Sequence, residues 1–200
     1  MFDFSKDYRL HNERAELIPL QKTHLPVLFE LAQDPDIWVH FEEKGLGEAS
    51  FGRYIERALE NRVKKEQYTF AIKDLKQEQF AGMTRIYAVD NSLKNAKIGH
   101  TWLGSQFHRT GLNKQAKYLL FKFLFEDLQM ERIGFGASAE NIKSIKAMES
   151  IGCVQEGRLR HFLPSAYGLG RVDIVLLSLL KHEWEAHVKA HLEAQLAVYL

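Results

Sequence analysis

The stretch with the clearest chemical potential is 104–120, GSQFHRTGLNKQAKYLL. Between an expected strand end and an amphipathic helix it places Gln106, His108, Arg109, Thr110, Gly111 and Asn113, with no carboxylate among them. A helix N-terminus presents unpaired backbone N–H groups and a partial positive charge. A donor-rich turn at that point suits an anion. Phosphate fits best, held by backbone amides with Arg109 and Thr110 beside them. A solvated connection has the same composition, so the turn alone does not decide. The Lys-Ser/Thr ending of a P-loop is missing, and so are the three spaced glycines of a dinucleotide fingerprint. A second landmark, NIKSIKAMESIGCVQEG from Asn141, follows an expected strand and opens a helix that stops at Gly152.

The elements that must hold these residues follow from periodicity. Residues 15–20, AELIPL, read as a first strand. HLPVLFELAQ (24–33) reads as a helix with Leu25, Leu28, Phe29 and Ala32 on one face, and a second helix runs over about 51–65. QYTFAIKD, FAGMTRIYAVD and AKIGHTWLG then form short β-rich runs between polar turns, as in an antiparallel meander. The helix after the opening turn aligns Ala116, Leu119, Leu120, Phe123, Leu124 and Leu128. RIGFGASA, CVQEGRLR and RVDIVLLSLL are the last strands. A C-terminal helix carries the stripe Trp184, Val188, Leu192, Leu196 and Tyr199, which must be covered by its own sheet or by a second subunit. The order is a mixed α/β domain around a central sheet.

Composition narrows the function classes. Lys and Arg number 27 against 26 Asp and Glu, which removes the electrostatic argument for nucleic-acid binding. No apolar run reaches the ~18 residues of a membrane span. Asp3, Lys6 and Asp7 interrupt any signal-peptide core, and the single cysteine cannot form an intramolecular disulfide. A cytoplasmic protein is expected.

Taken together, IGHTWLG, TGLNKQAKYLL, NIKSIKAMESIGCVQEGRLR and the GRVD before the last strand resemble the GNAT superfamily of acyl-CoA-dependent N-acetyltransferases. Within it the chain is similar to the branch containing ribosomal-protein N-terminal acetyltransferases. The resemblance implies one domain over 1–200, with a core of about 13–184 and a C-terminal helix over about 181–199. It implies a mixed, largely antiparallel sheet of about seven strands flanked by helices. Acetyl-CoA is the implied cosubstrate, with no metal. Its pyrophosphate would lie on Gln106, Phe107, His108, Arg109, Thr110, Gly111, Leu112 and Asn113. Backbone groups of Trp102 and Leu103 would pair with the pantetheine arm, with Asn141 and Ser144 near the thiol.

The chain departs from the family pattern at three positions. Arg109 stands where the family usually has glycine, and arginine fits there if its φ is ordinary. Met148 replaces a tyrosine that protonates the departing thiolate in many members. That leaves Ser144 as the candidate acid, with Tyr118 or a bound water next; Ser144 reads equally as a hydrogen-bonder of a first helical turn. Lys97 replaces a glutamate that often holds the base water. The base is therefore unnamed, and His100 is a candidate that also reads as a packed histidine. The implied reaction is direct attack of a primary amine, from a protein N-terminus or a small molecule, in a ternary complex. A catalytically silent acyl-CoA-binding module of the same fold is the alternative. The expected partners are acetyl-CoA and an amine acceptor, with a homodimer possible and neither nucleic acid nor membrane.

Other features read as structural. Cys153 is a small buried hydrophobe rather than a nucleophile. Glu183, His187 and His191 share a helical face without a zincin spacing. Glu42, Glu43 and Glu48 lie in an acidic connection near the implied acceptor entrance. Trp38, Phe41 and Tyr54 are core by default, with one or two free to line the acceptor site.

Overall fold

The computed structural model describes residues 1–199. The middle of the chain becomes the expected meander of β3 (Gln67–Asp74), β4 (Gln79–Asp90) and β5 (Asn95–Leu103). β1 (Leu10–His11) and β2 (Ala15–Pro19) extend one edge. β6 (Arg132–Ser138), β7 (Val154–Pro164) and β8 (Arg171–Leu180) complete the order β1-β2-β3-β4-β5-β6-β8-β7. Eight strands stand where about seven were expected, because the two-residue β1 is too short to show an alternation.

Period-two alternation sorts side chains between the faces. Ile72, Ile86 and Ile98 pack with α3 (Leu112–Lys122) and α4 (Ile142–Glu149). Ala71, Met83 and Trp102 pack with α1 (Leu25–Leu31) and α2 (Glu48–Val63). α2 starts three residues before the expected position, so Glu48 belongs to its first turn rather than to a loop. α4 ends at Glu149, a turn before the expected stop. Gly152 (φ +92°) instead turns the chain toward β7, after the Cys153 N–H has bonded back to the Met148 carbonyl.

The C-terminal stripe is covered from within the chain. Residues 181–199 run as α5 (Lys181–Glu183), a π-type turn (Trp184–Val188), α6 (Lys189–Leu196) and a short 3-10 turn. Trp184, Val188 and Leu192 join the α3-side core, and Leu196 is buried. Among the described residues the stripe is thus covered within the chain up to Leu196, with Tyr199 at its end exposed.

Every neighbouring strand pair is antiparallel except β5 with β6. That parallel pair spans only Asn95↔Arg132, Ala96↔Ile133 and Lys97↔Gly134. Beyond it β5 stays with β4 as far as Leu103, and β6 stays with β8 as far as Ser138. The sheet therefore opens between the two strands.

Candidate active site

The opening has a bulge on its β5 side. Met83 pairs with Trp102 and Arg85 with Gly99, so His100 and Thr101 together oppose the single residue Thr84. His100 takes φ +49° there, the mark of a bulge. The bulge sends His100 to the α2 side, where its ring lies 5.5 Å from Tyr87 and 6.3 Å from Phe41. Thr101 turns to the α3 side.

The donor-rich turn lies at the end of β5. A 3-10 turn (Ser105–Phe107) leads into α3, whose N-cap is Gly111 in the left-handed region (φ +81°). Thr110 Oγ1 donates to the Phe107 carbonyl at 2.8 Å and accepts from the Leu112 N–H at 3.4 Å. Among the described residues the backbone N–H groups of Arg109, Thr110, Gly111 and Asn113 have no partner. Gln106, His108 and Arg109 are exposed, whereas Phe107 and Leu112 are buried and anchor the turn.

Arg109 does not meet the expectation of an ordinary φ: it stands at +61°. A non-glycine residue there costs about 1 kcal/mol. Arginine there adds an exposed cation to the turn.

Trp102 and Leu103 are buried at the mouth of the opening, and the Leu103 carbonyl lies 3.0 Å from His108 Nε2. Across the opening Asn141 caps α4, its Oδ1 accepting from the Ser144 N–H at 3.0 Å. The cap uses the serine backbone, so the Ser144 hydroxyl is not the capping group. Tyr118, the next acid candidate, donates to Glu193 Oε1 at 2.6 Å. Burial and that carboxylate raise its pKa, so it holds its proton against the C-terminal helix. It is not available as an acid.

The α2 side of the opening carries donors. Arg85 is buried, with its guanidinium 4.6 Å over the Tyr54 ring and one nitrogen donating to Gln67 Oε1 at 2.8 Å. Its other two nitrogens, the Tyr54 hydroxyl and Trp102 Nε1 are buried without partners among the described residues. The His100 ring meets solvent and lies near this cation, against Tyr87 and Phe41. Desolvation first, then Arg85, pull its pKa down to about 4. A group so weakly basic takes little proton from an ammonium.

An open pocket of about 340 Å³ lies between the α1–α2 connection and the β7–β8 hairpin, lined by Trp38, Lys44, Leu46 and Tyr167 among others. Glu43 pairs with Arg57 at 3.4 Å. Trp38 and Tyr54 are core, while Phe41 faces His100.

Sequence reasoning passed over Lys117. Its Nζ is buried on the α3 side of the bulge, donating to Thr101 Oγ1 at 2.6 Å and to Thr84 Oγ1 at 3.3 Å. The two hydroxyls are themselves 2.7 Å apart. Burial pulls the ammonium down to about 7. The signal was present: Lys117 lies three residues before Leu120 and seven before Leu124, on the helix's apolar stripe. Among the described residues no group of three or more His, Cys, Asp or Glu side chains gathers as a metal site, and no helix is long and apolar enough to cross a membrane.

A sheet split between two parallel strands, with a donor-rich turn at the end of one and an asparagine-capped helix after the other, defines a class: the acyl-CoA-dependent acetyltransferase fold. The chain belongs to the family described as Acetyltransferase (GNAT) domain, which it matches over residues 14–154. It is 35% identical over 104 residues to YdaF of Bacillus subtilis (strain 168), named as a ribosomal N-acetyltransferase; the match covers 52% of this chain and 55% of that protein. The chain thus spans about half the length of that curated relative. A crystal structure from T. thermophilus, named as an acetyltransferase, superposes with a TM-score of 0.83 at 31% identity, covering 98% of this chain and 100% of that one. The microcin C7 self-immunity acetyltransferase MccE, crystallised with acetyl-CoA and AMP, shares the fold at a TM-score of 0.73 and 20% identity, covering 84% and 93% of the two chains.

Proposed function

We propose that the chain transfers an acetyl group from acetyl-CoA to a primary amine by direct attack within a ternary complex. The observation that carries the reading is the opening between β5 and β6, which pair over three residues and then part. A pantetheine arm has the width of a strand and is lined with amide groups, so it suits a gap between strands. The unpaired N–H groups of 109–113 suit the pyrophosphate at the gap's end. The acetyl group would then meet the bulge at His100–Thr101, with the acceptor entering from the α2 side. Asn141 lines the opposite wall, and Ser144 is the hydroxyl we assign beside the sulfur.

The acceptor is a protein N-terminus or a small-molecule amine; YdaF's name favours the former. The competing reading, a silent acyl-CoA-binding module, draws on Met148 in the tyrosine position and the strained Arg109. Thiol release from acetyl-CoA, measured with a panel of N-terminal peptides, amino acids and polyamines, separates the two. The transfer reading expects release with at least one amine and a mass gain of one acetyl group on it. Cofactor binding without release across the panel overturns it. Coenzyme A should also raise the melting temperature well above the effect of pantetheine, which lacks the phosphates. Equal shifts would remove the role of the turn.

A further inference from the structure

We propose that Lys117 supplies, through the Thr101 hydroxyl, the proton taken up by the thiolate that leaves acetyl-CoA; this rests on the direct-transfer reading. Three observations converge. First, the ammonium is buried and meets only hydroxyls: Thr101 at 2.6 Å and Thr84 at 3.3 Å. A buried lysine is ordinarily paired with a carboxylate, because an unpaired charge away from water is costly. Here no salt bridge joins it among the described residues.

Second, the cluster sits at the bulge, where β5 has already left β6. Thr101 is thus the member that borders the opening, and it is partly exposed while Thr84 is fully buried.

Third, the protons can be counted. Lys117 donates to both threonines, and either hydroxyl can donate across the 2.7 Å between them; with the fully buried Thr84 hydroxyl as donor, Thr101 Oγ1 is its acceptor. The Thr101 proton is then left over. Apart from Thr84 its acceptor is the Gly99 carbonyl, at a long 3.5 Å. A hydroxyl poorly bonded on one side and backed by an ammonium on the other is arranged to donate into the opening.

The step balances. The C–S bond of the tetrahedral intermediate breaks and its electron pair leaves on sulfur. The Thr101 O–H proton moves to sulfur, forming the thiol, and a Lys117 N–H proton moves to the Thr101 oxygen. Lysine is left as a neutral amine and recovers the proton that the attacking amine must lose. Burial has already drawn Lys117 down to about 7, so giving up a proton near neutrality is accessible to it. Ser144, assigned beside the sulfur on the other wall, has no such acid behind it among the described residues.

The surroundings do not compete for this proton. From β4 and β5 only Thr84 and Thr101 face Lys117, because Arg85, Tyr87 and His100 lie on the opposite face. The α4–β7 junction contributes Cys153, whose thiol is pushed up to about 12 by burial and stays neutral. Glu183 lies beyond Cys153 and accepts from the Leu180 N–H.

The test is steady-state turnover of the full chain against pH, with acetyl-CoA and its best amine from the panel. Wild-type kcat should fall on an alkaline limb beginning near pH 7 to 8, as the acid is lost. Lys117→Met should lower kcat about 10- to 1000-fold, abolish that limb, and leave coenzyme A's thermal shift and the KM for acetyl-CoA within twofold. Thr101→Val should reproduce the effect should Lys117→Met fold poorly. An acetyl thioester of an aryl thiol, whose thiolate needs no proton to leave, should recover most of the lost rate in both variants. Retention of kcat within threefold with an unchanged pH profile overturns the proton path while leaving the transfer reading intact. No rescue by the aryl thioester overturns it as well. A wild type that releases no thiol with any amine overturns the transfer reading and this path with it.

Discussion

Replacing Lys117 by methionine should make the protein more stable at neutral pH, by an amount that disappears as pH rises. Methionine keeps the length and apolar stem of the side chain while removing the buried charge. Thr84 and Thr101 retain their mutual 2.7 Å hydrogen bond. Burial takes the wild-type ammonium from 10.5 to about 7. At 1.36 kcal/mol per tenfold, the charged form is disfavoured in the fold by on the order of 5 kcal/mol. The two lost N–H···O bonds offset about 1 kcal/mol each. The expected net gain is about 1–3 kcal/mol, within the range for replacing buried ions by apolar groups.

The sign with pH follows from proton counts. Below about 7 the lysine is charged in both the folded and the unfolded chain, so the wild-type fold bears the full cost. Between about 7 and 10.5 the unfolded chain holds a proton that the folded chain has shed, so wild-type stability rises with pH. The advantage of Lys117→Met should therefore be largest at pH 6 to 7, vanish between about pH 8 and 9.5, and reverse above that. Urea unfolding at four pH values measures it directly, and the corresponding rise in melting temperature at pH 7 is roughly 2–4 °C per kcal/mol. A variant less stable than wild type at pH 7, with a difference that does not change with pH, would refute the reasoning and make Lys117 an ordinary structural hydrogen-bonder.

Three further outcomes test the site. Asn141→Ala should lose about 1 kcal/mol by removing the α4 cap, whereas Ser144→Ala keeps the capping N–H and, losing a hydrogen bond beside the sulfur, should lower turnover about tenfold with an unmoved melting temperature. A lowered melting temperature with full turnover per folded molecule would sink the role given to Ser144. Arg109→Gly relieves a left-handed arginine, and the gain roughly cancels glycine's extra unfolded freedom of about 0.5–1 kcal/mol. Its melting temperature should therefore hold while coenzyme A affinity weakens more at low salt than at high; an unchanged calorimetric affinity would refute the guanidinium's contribution. Gly111→Ala should be destabilising, because φ is +81° and the added Cβ would lie 2.5 Å from the Tyr199 ring. Thermal melts of Gly111→Ala with Tyr199→Ala should recover the clash but not the backbone strain, and full recovery would show that strain is absent.

What the amino-acid order determined by itself was whatever depends on near neighbours. β-rich runs between polar turns over 67–104 marked β3, β4 and β5 nearly to the residue, since strand propensity and turn chemistry are local properties. The donor-rich turn at 106–113 and the asparagine opening α4 were legible for the same reason: a helix's first turn is built from adjacent residues. Tertiary structure alone decided the rest, because it depends on residues far apart in the chain. The positive φ of Arg109 is imposed by the path from β5 into α3, not by arginine's preference. The C-terminal stripe found its cover in the α3-side core, a choice between self and partner that periodicity cannot make. Tyr118 and Lys117 are neighbours on one helix with opposite fates. The first is tied to Glu193 of α6, and the second is buried against threonines from two strands. Only the packing of α3 across the bulge in β5 sets them apart, because the cost of a charge is fixed by what surrounds it in space.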